Sequence, residues 1–401
     1  MPERDQQPAL VGLDAFLALA GPDRWRARVR DIGSRIRPES QTARAAQRRH
    51  ALEIMLARLS NPGLLAKAGQ SERRILDFAR EAALLAEDLA DGPRERLRAL
   101  IGEGLEGEAT LVPLFHLLRT AGLFRARGFE VRFDGLLHGT SHDLMVRREG
   151  SVAEVACETV SAEEGRPVHR GHWAQLVDRV NPDLQTWLAA HPGRYILKMT
   201  LPAGVSRDEQ IGSLHERISA MLANHKRQDS SADAVLKLDP LVLAGAHAGM
   251  DPCRALPGTL RQQFGLEAHL AVTTDQASGS VFVMAARAGR ENEISGAVKR
   301  RLATAAEARL SGKLPGILAV FLDDLEAAEW RNLRDTLELE GVVRRFLTEP
   351  AARPVVAVTC ATRMELLGTA DAAPDGELRF RNPAHPAAKA QGLEPAITSS
   401  M

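Results

Sequence analysis

The stretch Ser141-His-Asp143-Leu-Met-Val-Arg-Arg-Glu-Gly-Ser-Val-Ala-Glu154-Val-Ala-Cys-Glu158-Thr-Val160 decides how the middle of this chain is read. Asp143 opens one short apolar run. Eleven residues later, Glu154-Val155-Ala156-Cys157-Glu158 stands on a second. Residues two apart on a strand share a face. Glu154, Ala156 and Glu158 therefore share one face, and Val155, Cys157 and Thr159 the other. Upstream, residues 108–133 read as a helix, a glycine stop and a strand. The alternation of helical and extended runs predicts a layered α/β region.

Acids so placed suit a hard divalent cation. Metal-dependent phosphodiester hydrolysis needs oxygen ligands, an ion that activates water, and a cationic side chain that stabilises developing charge. Helix with an acid, strand, strand with Asp, strand with spaced carboxylates: over roughly residues 100–200 this order resembles the restriction-endonuclease-like, or PD-(D/E)XK, superfamily. The resemblance implies a three-layer α/β/α sheet after a helical N-terminal region, with an α/β extension behind it. It also implies Mg²⁺ or Mn²⁺ held by Glu108, Asp143, Glu154 and Glu158, with Glu106 as the alternative to Glu108.

The motif is incomplete. His142 stands where a proline precedes the aspartate, and no E-x-K is present. Either Glu154 fills the acid slot and Ala156 the lysine slot, or Ala156 fills the acid slot and Glu158 the lysine slot. Lys198, in Tyr195-Ile-Leu-Lys-Met-Thr200, is the candidate substitute, because a charge in an apolar strand needs a partner. The candidate catalytic set is thus Asp143, Glu154, Glu158 and Lys198. A solvated strand face and a snorkelling surface lysine fit the same residues.

Two basic segments suggest DNA or RNA as partner. Arg166, His169 and Arg170, in a Gly/Pro-punctuated loop, could clamp a phosphate. Nine arginines between Arg24 and Arg49, among them Arg44, Arg48 and Arg49, could track a phosphate backbone, with Trp25 stacking between them. The plainer readings are a polar loop and a solvated arginine face in an Ala/Arg/Leu/Gly-rich chain.

The 401 residues and 43.5 kDa accommodate two to three domains. Lys+Arg and Asp+Glu both number 52, so net charge selects no partner. Aromatics make up 4%, which leaves the core to Leu, Val, Ile and Ala. Cys157, Cys253 and Cys360 form no CxxC pair, which argues against a zinc ribbon and suits a reducing cytoplasm. Cys157 and Cys360 read as buried small hydrophobes. A thiol nucleophile built from Cys157 with His169 or His172 is not expected. The N-terminus lacks the order of a signal peptide, and no run approaches the ~20 apolar residues of a membrane span. No Walker loop or GxGxxG follows a strand, so no nucleotide cofactor is expected. Asp323-Asp324 reads as a helix N-cap region or a site at a strand's C-terminal edge.

The expected divisions are a helical domain over 1–98, a nuclease-like α/β domain over 99–230, an α/β extension over 231–386, and an irregular tail over 387–401. Strands are expected at 129–133, 143–147, 152–160 and 195–201, adjacent in one sheet, with a helix at 172–190 packed on it. Further strands are expected at 235–243, 269–273, 281–285, 317–322 and 355–360, helices at 292–310 and 327–347, and a loop at 369–376. The favoured function is a cytoplasmic nucleic-acid-associated protein, whose enzymatic form is a metal-dependent phosphodiesterase with a degenerate or migrated lysine. One alternative is a catalytically inactive interaction protein on the same fold. Another is an unrelated α/β enzyme acting on a small molecule, which an enclosed apolar pocket away from residues 143–158 would favour.

Overall fold

The computed structural model describes residues 3–37, 39–241, 260–261, 263–265, 267–275, 278–365 and 377–400. Cys253 and the loop expected at 369–376 lie outside them. The protein is mixed α/β with a helical N-terminal region. It divides into two compact units. The first gathers Met1–Ser34, Gln47–Glu164 and Ile294–Met401; the second gathers Arg35–Ala46 and Gly165–Glu293.

In the first unit, the helix Gln70–Asp88 buries Ile75, Leu76, Phe78, Ala79 and Ala82, the stripe its 3.6-residue spacing dictates. Phe78 links two neighbours, with its ring centroid 5.5 Å from Phe16 and 5.7 Å from Phe115. Phe115 then meets Phe321 of the sheet at 6.2 Å. Trp25 is part of this core, edge-on to Phe16 at 6.4 Å and 6% exposed. It is therefore not the stacking platform that its arginine neighbours suggested.

The sheet of this unit begins with β1 (Glu130–Arg132), β2 (Leu144–Arg148) and β3 (Ser151–Ser161), which form an antiparallel meander. The chain then leaves for β4 to β8 of the second unit. It returns through the helix Ile294–Arg309 to β9 (Gly316–Asp323), which pairs parallel to β3. β10 (Val355–Thr362) runs parallel to β9, and β11 (Leu378–Arg381) closes the order β1-β2-β3-β9-β10-β11. Helices cover both faces. Ala153, Val155, Ile317 and Phe321 pack with the helix Val112–Ala126. Ala156, Val160, Leu318 and Val320 pack with Val298, Leu302 and Ala305 of the helix Ile294–Arg309. Gly316 lets the end of that helix approach, since a Cβ there would collide with Leu310.

The second unit has its own sheet of β4 (Arg194–Leu201), β5 (Gln228–Ser230), β6 (Val235–Pro240), β7 (His269–Asp275) and β8 (Ser280–Ala288), in the order β5-β6-β4-β8-β7. The helices Arg170–Ala190 and Asp208–Ala223 pack on it through Val180, Leu184, Leu214 and Ile218. Pro182 does not break the first of these. Asp178 joins the N-terminal piece to this unit by accepting the N–H groups of Gln41 at 2.8 Å and Thr42 at 2.9 Å. The ends of the longer piece meet, because Glu293 N donates to Gly165 O at 2.7 Å.

One expectation is overturned. Residues 195–201 do not lie beside β3; they form β4 in the other sheet, and β9 takes the place next to β3. Apolar alternation specifies a strand but not its partner, and both β4 and β9 are apolar strands that follow a helix. The segments 99–230 and 231–386 accordingly each contain parts of both units. The helix expected over 327–347 is two, Ala327–Asp335 and Glu338–Leu347, separated where Leu337 adopts φ 58°. Among the described residues, no helix is long and apolar enough to cross a membrane.

Candidate functional site

Asp143 immediately precedes β2 and is fixed to β3 at two points. Its N–H donates to Val155 O at 3.0 Å, and its carboxylate accepts the Cys157 N–H at 2.7 Å. Glu158 rises from the β3 face that packs on the helix Ile294–Arg309. Arg309 is the last residue of that helix. Its Nη2 donates to both carboxylate oxygens of Asp143, at 2.9 and 2.8 Å, and its Nη1 donates to Glu158 Oε1 at 2.7 Å. Nε donates to the Ser141 carbonyl, and Ser141 Oγ returns a bond to Arg309 O at 3.1 Å. Arg301 stands 3.7 Å from the other oxygen of Glu158 and 3.2 Å from Glu164.

Glu154 shares the strand face of Glu158, as the spacing predicts, but serves another partner. Its oxygens accept the Ser311 N–H at 2.8 Å and the Ser311 hydroxyl at 2.6 Å. His142 lies 3.9 Å from Glu154 and 3.6 Å from Asp134. Glu154 thus anchors the turn between the helix and β9.

Burial pushes the Asp143 carboxyl above its ordinary range, against the pull of Arg309 and the Cys157 N–H. Glu158 is raised for the same reason, against Arg309 and Arg301. Burial, with Asp143 adding to it, pushes the Cys157 thiol up well beyond its usual value. His116 is lowered to about 3 by burial and is neutral, with Nε2 2.9 Å from the Ala319 carbonyl. It ties the helix Val112–Ala126 to β9.

These residues do not fit Mg²⁺ or Mn²⁺ as arranged. Asp143 and Glu158 converge, but they converge on a guanidinium. Glu154 gives both oxygens to Ser311. Glu108 lies ahead of the helix Val112–Ala126 rather than on it; its side chain is 70% exposed and 3.6 Å from Arg49. Among the described residues, no three His, Cys, Asp or Glu side chains are grouped to hold a metal ion.

Lys198 is not brought to these acids. It sits on β4, with Nζ bonded to Asp239 on β6 at 3.0 Å. Its strand-borne charge has a partner, as required, but a different one. Arg166, His169 and Arg170 belong to the second unit. Arg166 is 4% exposed, His169 is the N-cap of the helix Arg170–Ala190, and Arg170 is that helix's first residue. Arg44 is exposed. Other members of the arginine segment do internal work. Arg28 is buried on Gly107 O at 2.7 Å, Arg48 lies 3.5 Å from Glu326, and Arg49 donates to Glu108 O at 2.8 Å.

A second charged cluster sits at the C-terminal ends of β9 and β10. Arg363 clasps Asp323 at 2.6 and 2.8 Å and donates to the carbonyls of Arg48 and Arg49. Burial raises Asp323 against the pull of Arg363. Asp323-Asp324 is not a helix cap, since the N-cap of the next helix is Glu326. Arg309, Arg301, Ser311 and Arg363 are the residues that sequence reading missed. The one available signal was a basic residue at the end of a helix, in front of Ser311-Gly312.

No family model matches this chain, and neither does any curated protein or solved structure.

Proposed function

We propose that this protein is a non-catalytic interaction module on a restriction-endonuclease-like sheet, with an arginine standing where such a site would hold its cation. The order of helix, antiparallel β1-β2-β3, helix and parallel β9 supports the reading, as do the places of Asp143 and Glu158 within it. One observation carries it: the Arg309 guanidinium bridges Asp143 and Glu158. A guanidinium is permanently charged and matches carboxylates in a fixed fork. It balances the two acids, but it offers no open coordination position and generates no nucleophile from water. DNA or RNA remains the proposed partner class, on the strength of exposed arginines such as Arg30, Arg37 and Arg44.

The test is incubation of purified protein with single- and double-stranded DNA and RNA, with Mg²⁺ and with Mn²⁺. The expected outcome is no cleavage. Cleavage that disappears in Asp143→Ala would overturn the proposal and restore the metal-dependent phosphodiesterase.

A further inference from the structure

An open groove of ≈ 660 Å³ lies in the first unit, between the end of the helix Glu338–Leu347 and the segment that follows β11. Its volume falls within the range of about 300–1,000 Å³ typical of ligand sites. Leu347, Pro350, Pro383 and Pro386 contribute apolar surface. Arg353 and Arg381 also line it, and both are exposed. Among the described residues, neither guanidinium has a hydrogen-bond or ion-pair partner.

The other polar groups of the wall are committed. Glu349 is held by Lys299 at 2.6 Å, and Arg344 by Glu340 at 2.6 Å. Asn382 donates to Val355 O at 2.9 Å and accepts from the Ala384 N–H at 3.1 Å. Thr348 donates its hydroxyl to Arg345 O at 2.7 Å. His385 accepts the Ala387 N–H on Nδ1 at 3.1 Å, so the neutral ring carries its proton on Nε2. Burial lowers the His385 pKa and favours that neutral form. The charged groups of the groove that have no partner are therefore two guanidinium forks, with one imidazole N–H and apolar surface beside them, while the one carboxylate of the wall, Glu349, is paired with Lys299.

We infer that this groove docks an extended acidic peptide segment of a partner protein, whose carboxylates meet Arg353 and Arg381 while its apolar side chains lie on the prolines and Leu347. Charge complementarity supplies the argument. Guanidinium forks pair bidentately with carboxylates, and Arg is the cation favoured at interfaces. The inference does not depend on the absence of catalysis at Asp143.

The probe is a fluorescein-labelled peptide alternating glutamate and leucine, followed by anisotropy at low and high salt. A lysine–leucine peptide and a single-stranded oligonucleotide serve as competing probes. The wild type is expected to bind the acidic peptide in preference to the basic one. The double variant Arg353→Glu/Arg381→Glu should weaken binding by about tenfold or more. Lys67→Glu, an exposed change elsewhere, should leave it unchanged. Arg353→Gln/Arg381→Gln reads the same loss if the glutamates disturb folding, and an unchanged melting temperature confirms an intact chain. The inference falls if the acidic peptide does not bind, if the double variants bind it equally well, or if the arginines prove necessary for the oligonucleotide alone.

Discussion

Two arginines hold acids on the same six-stranded sheet, and they differ in how much water reaches them. The side chains of Arg363 and Asp323 are 9% and 10% exposed, whereas those of Arg309 and Asp143 are 30% and 24% exposed. Arg363 spends its other donors on backbone carbonyls of Arg48 and Arg49, so it joins the end of β10 to the N-terminal helices. Arg309 spends its donors on two carboxylates and the Ser141 carbonyl. The first arrangement is a strut. On the proposed reading, the second is a cation site that a side chain has filled. The same residue type on the same sheet thus serves either cohesion or charge balance, according to burial and to what shares its donors.

Arg363→Ala is the most severe test of this contrast. It leaves Asp323 buried without its cation, and removing one partner of a buried pair typically costs about 3–5 kcal/mol. Denaturant unfolding should read that loss. A change below about 1 kcal/mol would dissolve the distinction between the two arginines.

Arg309→Gln should cost less, about 1–3 kcal/mol at neutral pH, the range for hydrogen bonds to charged groups. Its pH dependence sharpens the comparison. Asp143 and Glu158 are raised above their ordinary values of 3.8 and 4.5 in the folded protein. For an acid so shifted, the folded state binds protons more tightly than the unfolded one. Its favourable contribution is present below the unfolded pKa and is lost as pH rises through the folded pKa. Arg309 holds both shifts down, so its removal widens the window. The variant's penalty should therefore grow from acidic toward neutral pH. A penalty independent of pH would mean that Arg309 does not balance these acids.

Arg309→Ala should also turn the filled site into an open one. Paired carboxylates repel, and a divalent ion relieves that repulsion. Mn²⁺ at about ten times its dissociation constant would stabilise the variant by about 1.4 kcal/mol through mass action. The wild type should show no such gain in a thermal melt. Equal responses would show that the guanidinium is not what excludes the ion. Lys198→Ala has the smallest expected effect, within about 0.5 kcal/mol, as for an exposed ion pair. A loss of several kcal/mol would assign Lys198 a structural load that its bond to Asp239 does not explain.

The elements themselves were legible in the sequence. The runs at 152–160, 317–322 and 355–360 became β3, β9 and β10, because β-branched and apolar residues, uninterrupted in the last two and broken only by Glu154 and Glu158 in the first, suit buried strands. The shared face of Glu154 and Glu158 followed from the two-residue strand period. What could not be read was pairing across distance. Arg309 reaches Asp143 across 166 residues and Glu158 across 151, and no local pattern marks such a contact. Lys198 drew attention for a sound reason, a charge on an apolar strand, but its acid stands on the neighbouring strand of a different sheet. Trp25 misled in the opposite way. Its arginine neighbours suggested a surface, whereas its helical spacing with Arg28 and Ile32 marks the buried side.

The 2.7 Å bond between Glu293 and Gly165 bears on how the sheet of the first unit can assemble. β3 and the helix that leads to β9 are separated by residues 165–293. As a floppy tether, a loop of that length would cost about 3 kcal/mol more to close than a turn of a few residues. Once its own sheet forms, the intervening stretch brings its two mouths together. The polymer penalty is then borne by the folding of the insert, and the flanking halves meet as though joined by a short turn.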